Sequence, residues 1–328
     1  MTLRLEQIDG ASFAPEASNI LKEAWANQPS IEYSPDYIAW QLSFPGSIAP
    51  VAVAAFDGTE PIGFAAATVR RLRLDLNEAD GFVTSFWSMR PGRGGPAGAI
   101  LLLEALLRKL RRFDVPVLTF GLHNGRGERL FPQSYVRSGF LDTMLGKLPT
   151  YAFLVRSEPQ TASDWIVAEA ESTAILYELV SQCASKDPTL LYVASDSTQL
   201  EHYSKDPRSR HLLVATDSKT GSRAAAWAIR TGFRTAEGVS YAPSLENVAL
   251  ERSRADALPA LLIAASELYS STIERPVVVN APSLAGFDAK ALRSLGIRQT
   301  SNGFHGHLYL PPSRTEWQST TGTASEII

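Results

Sequence analysis

Leu3–Ile8 alternates apolar and polar side chains, the period of a half-buried strand. Ala14–Ala26 changes to helical spacing, and a short helix over Ser34–Leu42 stops before Pro45-Gly46. Val51–Phe56 and Ile62–Arg70 read as strands, and Asp57-Gly58 between them predicts a hairpin turn. Phe82–Met89 reads as a further strand. The Gly/Pro loop Pro91–Gly95 then leads into a long helix, Pro96–Arg112. Val115–Gly121 is apolar on both faces and reads as a buried strand. A helix over about Glu128–Ser138 ends at Gly139, and Tyr151–Arg156 closes the series.

The second half of the chain repeats this order. "SFPGSIAPVAVAAFDGTEPIGFAAATVRR" has its counterpart in "SKDPRSRHLLVATDSKTGSRAAAWAIRTGF": short helix, proline, strand, polar turn and Ala-rich strand. "FVTSFWSM" is echoed by "NVALE", "AILLLEALLRKL" by "LPALLIAASELY", "VPVLTFG" by "RPVVVNA", and "SYVRSGF" by "KALRSLGI". The expected organisation is two units, 1–156 and 164–312, joined by the linker Ser157–Ser163 and followed by a flexible Ser/Thr-rich tail, 313–328.

The length of 328 residues suits two such units, each with its own core. A net charge of -3 gives no general attraction to nucleic acid or to anionic membrane. The local basic run Arg108, Lys109, Arg111 and Arg112 reads as a solvated helix face. Cys183 is the single cysteine, so no intramolecular disulfide can form. Its apolar surroundings predict a buried structural thiol. The longest apolar stretch, Ala97–Leu107, is too short to cross a bilayer, and Met1–Gly10 lacks a secretory core. A cytoplasmic protein with no membrane partner is expected.

One segment carries chemistry: "FVTSFWSMRPGRGGPAGAILLLEALL". A strand runs into a glycine-rich turn that opens a long helix. The first N–H groups of a helix lack internal partners and sit at its positive end. Glycines let that backbone approach a bulky anion, so the turn is a candidate diphosphate cradle. Arg93, Gly94, Gly95, Ala97, Gly98 and Ala99 are its candidate contacts, Pro96 being unable to donate. Without ligand, the same residues make a plain helix start. No Gly-Lys-Ser/Thr follows, so this is not a Walker loop. Gly92–Ala97 fits the dinucleotide pattern G-x-G-x-x-A, but it follows a hairpin rather than a first parallel strand.

The element order resembles the GNAT (GCN5-related N-acetyltransferase) superfamily. Its loop pattern (Gln/Arg)-x-x-Gly-x-(Gly/Ala) falls on Arg93-Gly94-Gly95-Pro96-Ala97-Gly98, with Pro96 at the central glycine. Its "N…lYeklGF" signature is similar to Asn124 followed by Tyr135–Phe140. "DYIAWQLSFPG" is similar to an acceptor-side stretch of one subgroup. The resemblance implies an α/β protein of the α+β type, with two tandem GNAT-like domains, each a mixed, mostly antiparallel sheet with flanking helices. The second is degenerate, because "ERSRADALP" stands in the loop position without a glycine.

It also implies direct transfer from acetyl-CoA or another acyl-CoA to the amine of a small-molecule acceptor, with no metal and no covalent enzyme intermediate. Phe82–Met89 is expected to splay from Val115–Gly121. Backbone N–H groups of Trp87, Ser88 and Met89 would then polarise the thioester carbonyl, and Asn124 would contact the donor. Tyr135 is the candidate general acid, against a reading as a helix aromatic packed on the sheet. His123 is the candidate base, against a hydrogen-bonding loop residue, and Glu128 qualifies on position alone.

His305 and His307 alternate with Phe304 and Leu308 on a terminal strand, either as sheet-face residues or, if the strand reaches the first half, as acceptor-cleft residues. Trp40 and Tyr37 share a helix, as core or as acceptor contacts. Three rivals remain: a donor held on an acyl carrier protein or an aminoacyl-tRNA, a non-catalytic ligand-binding module, and an NAD-linked enzyme.

Overall fold

The computed structural model describes residues 3–26, 30–74, 77–122, 126–155, 164–186, 192–193, 196–235, 238–269, 277–281, 284 and 287–314. The first half comprises β1 (Leu3–Ile8), α1 (Ala14–Ala24), β2 (Ser30–Ile31), α2 (Pro35–Leu42), β3 (Val51–Asp57), β4 (Glu60–Leu74), β5 (Asn77–Met89), α3 (Gly95–Leu110), β6 (Val117–Leu122), α4 (Arg126–Arg137) and β7 (Leu141–Val155). The second comprises β8 (Trp165–Glu169), α5 (Ala174–Lys186), β9 (Tyr192–Val193), α6 (Ser197–Tyr203), β10 (Arg210–Asp217), β11 (Arg223–Thr235), β12 (Gly238–Ala249), α7 (Leu258–Leu268), β13 (Val277–Ala281), α8 (Ala289–Ser294) and β14 (Ile297–Leu310). Among the described residues, no helix is long and apolar enough to cross a membrane.

Local chemistry sets the helix starts. Ser34 accepts a hydrogen bond from the Tyr37 amide at 3.2 Å, and Asp196 from the Gln199 amide at 2.9 Å. Both are side-chain N-caps at corresponding points of α2 and α6. α1 starts with Pro15 in its first turn and buries Ala14, Ala17, Ser18, Ile20 and Leu21, one stripe at helical spacing.

A 14-stranded sheet runs β1-β3-β4-β5-β6-β14-β7-β13-β12-β11-β10-β8. The halves exchange their closing strands: β14 of the second half lies between β6 and β7, and β7 of the first half lies between β14 and β13. The same reciprocity recurs at the long hairpins, where β2 pairs with β11 and β9 with β4. Helices α3 and α4 cover one face of the first half and α1 and α2 the other. In the second half, α7 and α8 cover one face and α5 and α6 the other.

Strand β7 starts at Leu141 rather than at the expected Tyr151. Asp142, Thr143 and Lys147 break its apolar pattern, but pairing with β14 from Leu141 onward ties this stretch into the sheet, and β13 joins on the other side from Tyr151 to Val155. Strands β4 and β5 likewise run past their apolar segments, with Arg71 paired to Glu78 at 2.8 Å and to Asp80 at 3.4 Å. Cys183 is buried, and burial pushes its thiol up to about 11. That places it far from nucleophile chemistry.

Candidate functional site

β5 and β6 pair in parallel at Phe82–Val117 and Val83–Leu118. Beyond that point β5 continues to Met89 and β6 to Leu122 with no further pairing between them among the described residues, so the two strands open as a V. A bulge sits on the open arm of β5: Phe64 pairs with Ser88 and Ala66 with Ser85, leaving Phe86 and Trp87 opposite Ala65. Phe86 holds φ at 62°, a left-handed conformation uncommon for an aromatic residue. Bulges of this kind re-aim side chains and free main-chain groups beside sites.

Three hydroxyls close the apex of the V. Thr84 Oγ1 and Thr119 Oγ1 lie 2.7 Å apart, Thr119 donates to the Tyr135 hydroxyl at 2.8 Å, and Tyr135 donates to Thr84 at 3.1 Å. Tyr135, on α4, is fully buried, whereas Thr84 is half-buried and forms the accessible member of the set. Burial pushes the Tyr135 pKa up, so the hydroxyl keeps its proton at neutral pH. It is thereby a hydrogen-bond donor and a weak source of protons.

The mouth of the V is the turn Arg90–Gly94 and the start of α3. Gly94 and Gly95 have φ of 65° and 59°, and a Cβ on Gly95 would meet nothing within 4 Å. The turn therefore uses glycine for backbone conformation and leaves open space over it. The Gly98 amide bonds to Gly94 O at 2.9 Å and the Gly95 amide to Arg93 O at 2.7 Å. The Gly98 amide thus closes the first helical turn, and the Gly95 amide is engaged within the turn itself. Arg93 ion-pairs with Asp57 at 3.5 Å and Glu60 at 3.4 Å, tying the turn to the β3–β4 hairpin.

The remaining candidates divide by face. Trp87 donates from Nε1 to Ala99 O at 2.9 Å and packs on Phe131 of α4 with ring centroids 5.1 Å apart, so its indole bridges α3 and α4 above the V. Met89 packs beneath Gly98. The Ser88 side chain instead faces α1, accepting from Trp25 Nε1 at 3.0 Å, and offers the donor side its main chain alone. His123 and Asn124 lie outside the described residues, and Glu128 lies where no side chain is described.

On the α1–α2 face, Phe86 meets Tyr33 at 5.6 Å and Tyr37 at 6.4 Å. Arg208 of the second half stacks over Tyr37 at 4.4 Å. It belongs to a buried ion cluster in which Asp206 bonds Arg208 at 2.7 Å and Arg210 at 2.8 Å. Burial works to raise the Asp206 pKa, and the two guanidinium groups more than offset it, holding the carboxyl well below the usual range. Tyr37 and Trp40 are buried at this junction of the halves.

The second half keeps the bulge and loses the cradle. Ala225 pairs with Ala249 and Trp227 with Glu246, and Asn247 holds φ at 49°, matching Phe86. Counted forward from the two bulges, Arg254 corresponds to Arg93 and Asp256 to Gly95. Arg254 pairs with Asp217 at 2.5 Å, as Arg93 does with Asp57. Asp256 puts a carboxylate, held by Trp165 Nε1 at 2.8 Å, where an incoming anion would sit.

Thr84, Thr119 and Phe86 were missed by sequence reasoning. A signal existed for the threonines, since each is a polar residue inside an otherwise apolar buried strand. None existed for Phe86, whose role lies in its backbone angle.

No protein-family model matches the sequence, and no curated protein matches it. Among solved structures, Saccharomyces cerevisiae N-myristoyltransferase with bound myristoyl-CoA and inhibitors is similar over 99% of this chain and 86% of that one, with a TM-score of 0.66 and 12% identity. A tandem GNAT protein from the clavulanic acid biosynthesis pathway is similar over 94% and 98%, with a TM-score of 0.62 and 12% identity. A GCN5-related N-acetyltransferase from Anabaena variabilis is similar over 93% and 72%, with a TM-score of 0.57 and 14% identity. Identities this low speak for architecture and leave the chemistry to the site. With its two bulged, splayed half-sheets in tandem, this chain has the tandem GNAT fold.

Proposed function

We propose that this chain is an N-acyltransferase that moves an acyl group from acyl-CoA to the amine of a small molecule by direct attack. The observation that carries the reading is the V between β5 and β6, which opens toward a glycine turn at the start of α3. A pantetheine arm would lie between the strands, with its diphosphate at Gly94–Ala97 and its thioester near the bulge. Main-chain N–H groups freed at Phe86 and Trp87 would meet the thioester oxygen as charge develops there. The hydroxyl set at the apex would hydrogen-bond the departing thiolate through Thr84, with Tyr135 behind it. The acceptor would enter from the face carrying Phe86, Tyr33 and Tyr37. The likeness to a structure holding myristoyl-CoA supports the reading at the level of fold.

Titration of the full chain with acetyl-CoA, desulfo-CoA and NAD tests it, together with thiol release across an amine panel. Binding of the first two at micromolar concentration and indifference to NAD are expected. Stabilisation by NAD alone would overturn it.

One observation favours a second reading. The Trp87 indole lies between α3 and α4. Were it fixed there, the chain would be a binding module without donor chemistry, or would take its acyl group from a carrier that does not thread the V. Crystals soaked with CoA would show the indole displaced in the first case and unmoved in the second.

A further inference from the structure

The apex of the V carries more buried polar groups than its hydroxyl set. Strand β14 pairs with β6, placing His307 opposite Thr119 and Tyr309 opposite Val117. The Tyr309 ring stacks on that of Tyr135 with centroids 3.7 Å apart and planes within 10°. The His307 ring lies parallel to Tyr309 at 5.6 Å, and its Nδ1 is 2.9 Å from Asp142 Oδ1 on β7. His307 is 7% exposed and Tyr309 0%. The Tyr309 hydroxyl is buried and has no hydrogen-bond partner among the described residues.

Burying such groups costs stability, most of all a hydroxyl left unpaired. The fold does not require them, because the same chain builds the same corner without them. In the second half, Leu245 holds the position of Thr84, counted from the bulge, and Leu292 that of Tyr135, counted back from the glycines Gly296 and Gly139. On the same face β13 supplies Val279 and Ala281, β7 supplies Tyr151 and Phe153, and β14 supplies Ile297. Apolar and aromatic side chains thus pack where the first half keeps an imidazole and hydroxyls, and Gln299, counted from the same glycines, stands in place of the acid. Polar groups retained only beside the intact glycine turn mark a site.

We infer that Asp142, His307 and Tyr309 form a positioning stack that fixes the Tyr135 hydroxyl at the apex of the V, so that Thr84, which accepts from it, is held for hydrogen bonding to the departing thiolate of an acyl donor. Asp142 anchors His307, the imidazole flanks Tyr309, and Tyr309 holds the Tyr135 ring face to face. The hydroxyl of Tyr135 is then aimed at Thr84 without having to reorganise as charge forms on sulfur. The last strand of the second half so completes the site of the first. This rests on the acyl-CoA reading and adds to it the reason why a half without a cradle is retained.

The test uses CoA and desulfo-CoA on the full chain and its variants. Calorimetric titration with desulfo-CoA reports the cradle alone, and the ultraviolet absorbance of bound CoA against pH reports ionisation of its thiol. In the wild type the bound thiol should ionise at lower pH than free CoA. In His307→Leu the shift should shrink by about one pH unit, about tenfold in ionisation constant, with desulfo-CoA affinity changed by less than about twofold. Should His307→Leu fail to fold, Asp142→Asn at the partly exposed end of the stack should show a smaller loss in the same direction. Thiol ionisation unchanged in the folded variant would overturn the inference. So would a wild-type thiol that titrates as in free CoA, which leaves the acyl-CoA reading standing. No desulfo-CoA binding by the wild type would remove both.

Discussion

Trp40 and His202 each donate a ring N–H to the other's main-chain carbonyl, both at 2.9 Å, with their rings parallel to within 5° and 5.3 Å apart. They stand at corresponding positions of α2 and α6, counted from the caps Ser34 and Asp196. The repeat in the sequence therefore meets itself at a local two-fold seam, and the seam is sealed by one pair of reciprocal bonds.

That pair is pH-sensitive. His202 must carry its proton on Nε2 to donate, and burial, the largest influence, pulls its pKa below 6.5. The unfolded chain therefore binds a proton at His202 before the folded chain does, and stability falls as pH drops below about 6.5 through the lowered folded value. Urea midpoints between pH 7.5 and 5 should decline in the wild type, and His202→Gln should flatten part of that decline. A decline of equal slope in the variant would assign it to other groups.

A second loss at acid pH belongs to Asp206. Its carboxyl pairs with Arg208 and Arg210 in a fully buried position, so its pKa is held below the ordinary 3.8. The stability it contributes is present above the unfolded value and is lost as pH falls below that. Asp206→Asn at neutral pH leaves two buried guanidinium groups short of a partner and should cost about 3–5 kcal/mol. Chemical denaturation of the variant measures it, and a loss below about 1 kcal/mol would mean that Glu246, which lies 3.3 Å from Arg210 and 3.7 Å from Arg208, alone suffices.

Much of this architecture is legible in the chain. The alternation of Leu3–Ile8 became β1 residue for residue, and the Asp57-Gly58 turn and the glycine loop fell where their chemistry put them. What pattern could not reveal were features decided by distant partners. The Leu141–Thr150 stretch is a strand because β14 arrives beside it from the far end of the chain. The histidines of "FHGHLY" read as sheet-face residues or, if their strand reaches the first half, as acceptor-cleft residues, and only the pairing sets His307 opposite Thr119. Periodicity reports burial along one element and carries no register between elements far apart in sequence.

Tyr135→Phe separates two roles for this residue. A donor that polarises and orients Thr84 against the thiolate, removed while Thr84 and Thr119 remain, should lower kcat about tenfold and leave the shape of the pH profile intact. Loss of an obligatory general acid would instead cost roughly a hundredfold or more and erase the alkaline limb. Steady-state rates with any amine that the wild type accepts decide between them. Because burial holds the Tyr135 proton so firmly, the smaller effect is expected.

The second half has already performed the mutation that would silence the first. Asp256 corresponds to Gly95, and its carboxylate is held by Trp165 and by Arg254 at the start of α7. Gly95→Asp should reproduce that state. A Cβ at Gly95 meets open space, and aspartate is among the residues that tolerate a φ near 59°, so the fold should survive with little change in thermal midpoint. The new carboxylate would stand where a diphosphate must approach, repelling it at the positive end of α3. Acetyl-CoA affinity should fall at least about a hundredfold, whereas Gly95→Ala, uncharged and if anything more strained at this φ, should lose far less. Equal losses in the two variants would mean that backbone conformation rather than charge governs the turn.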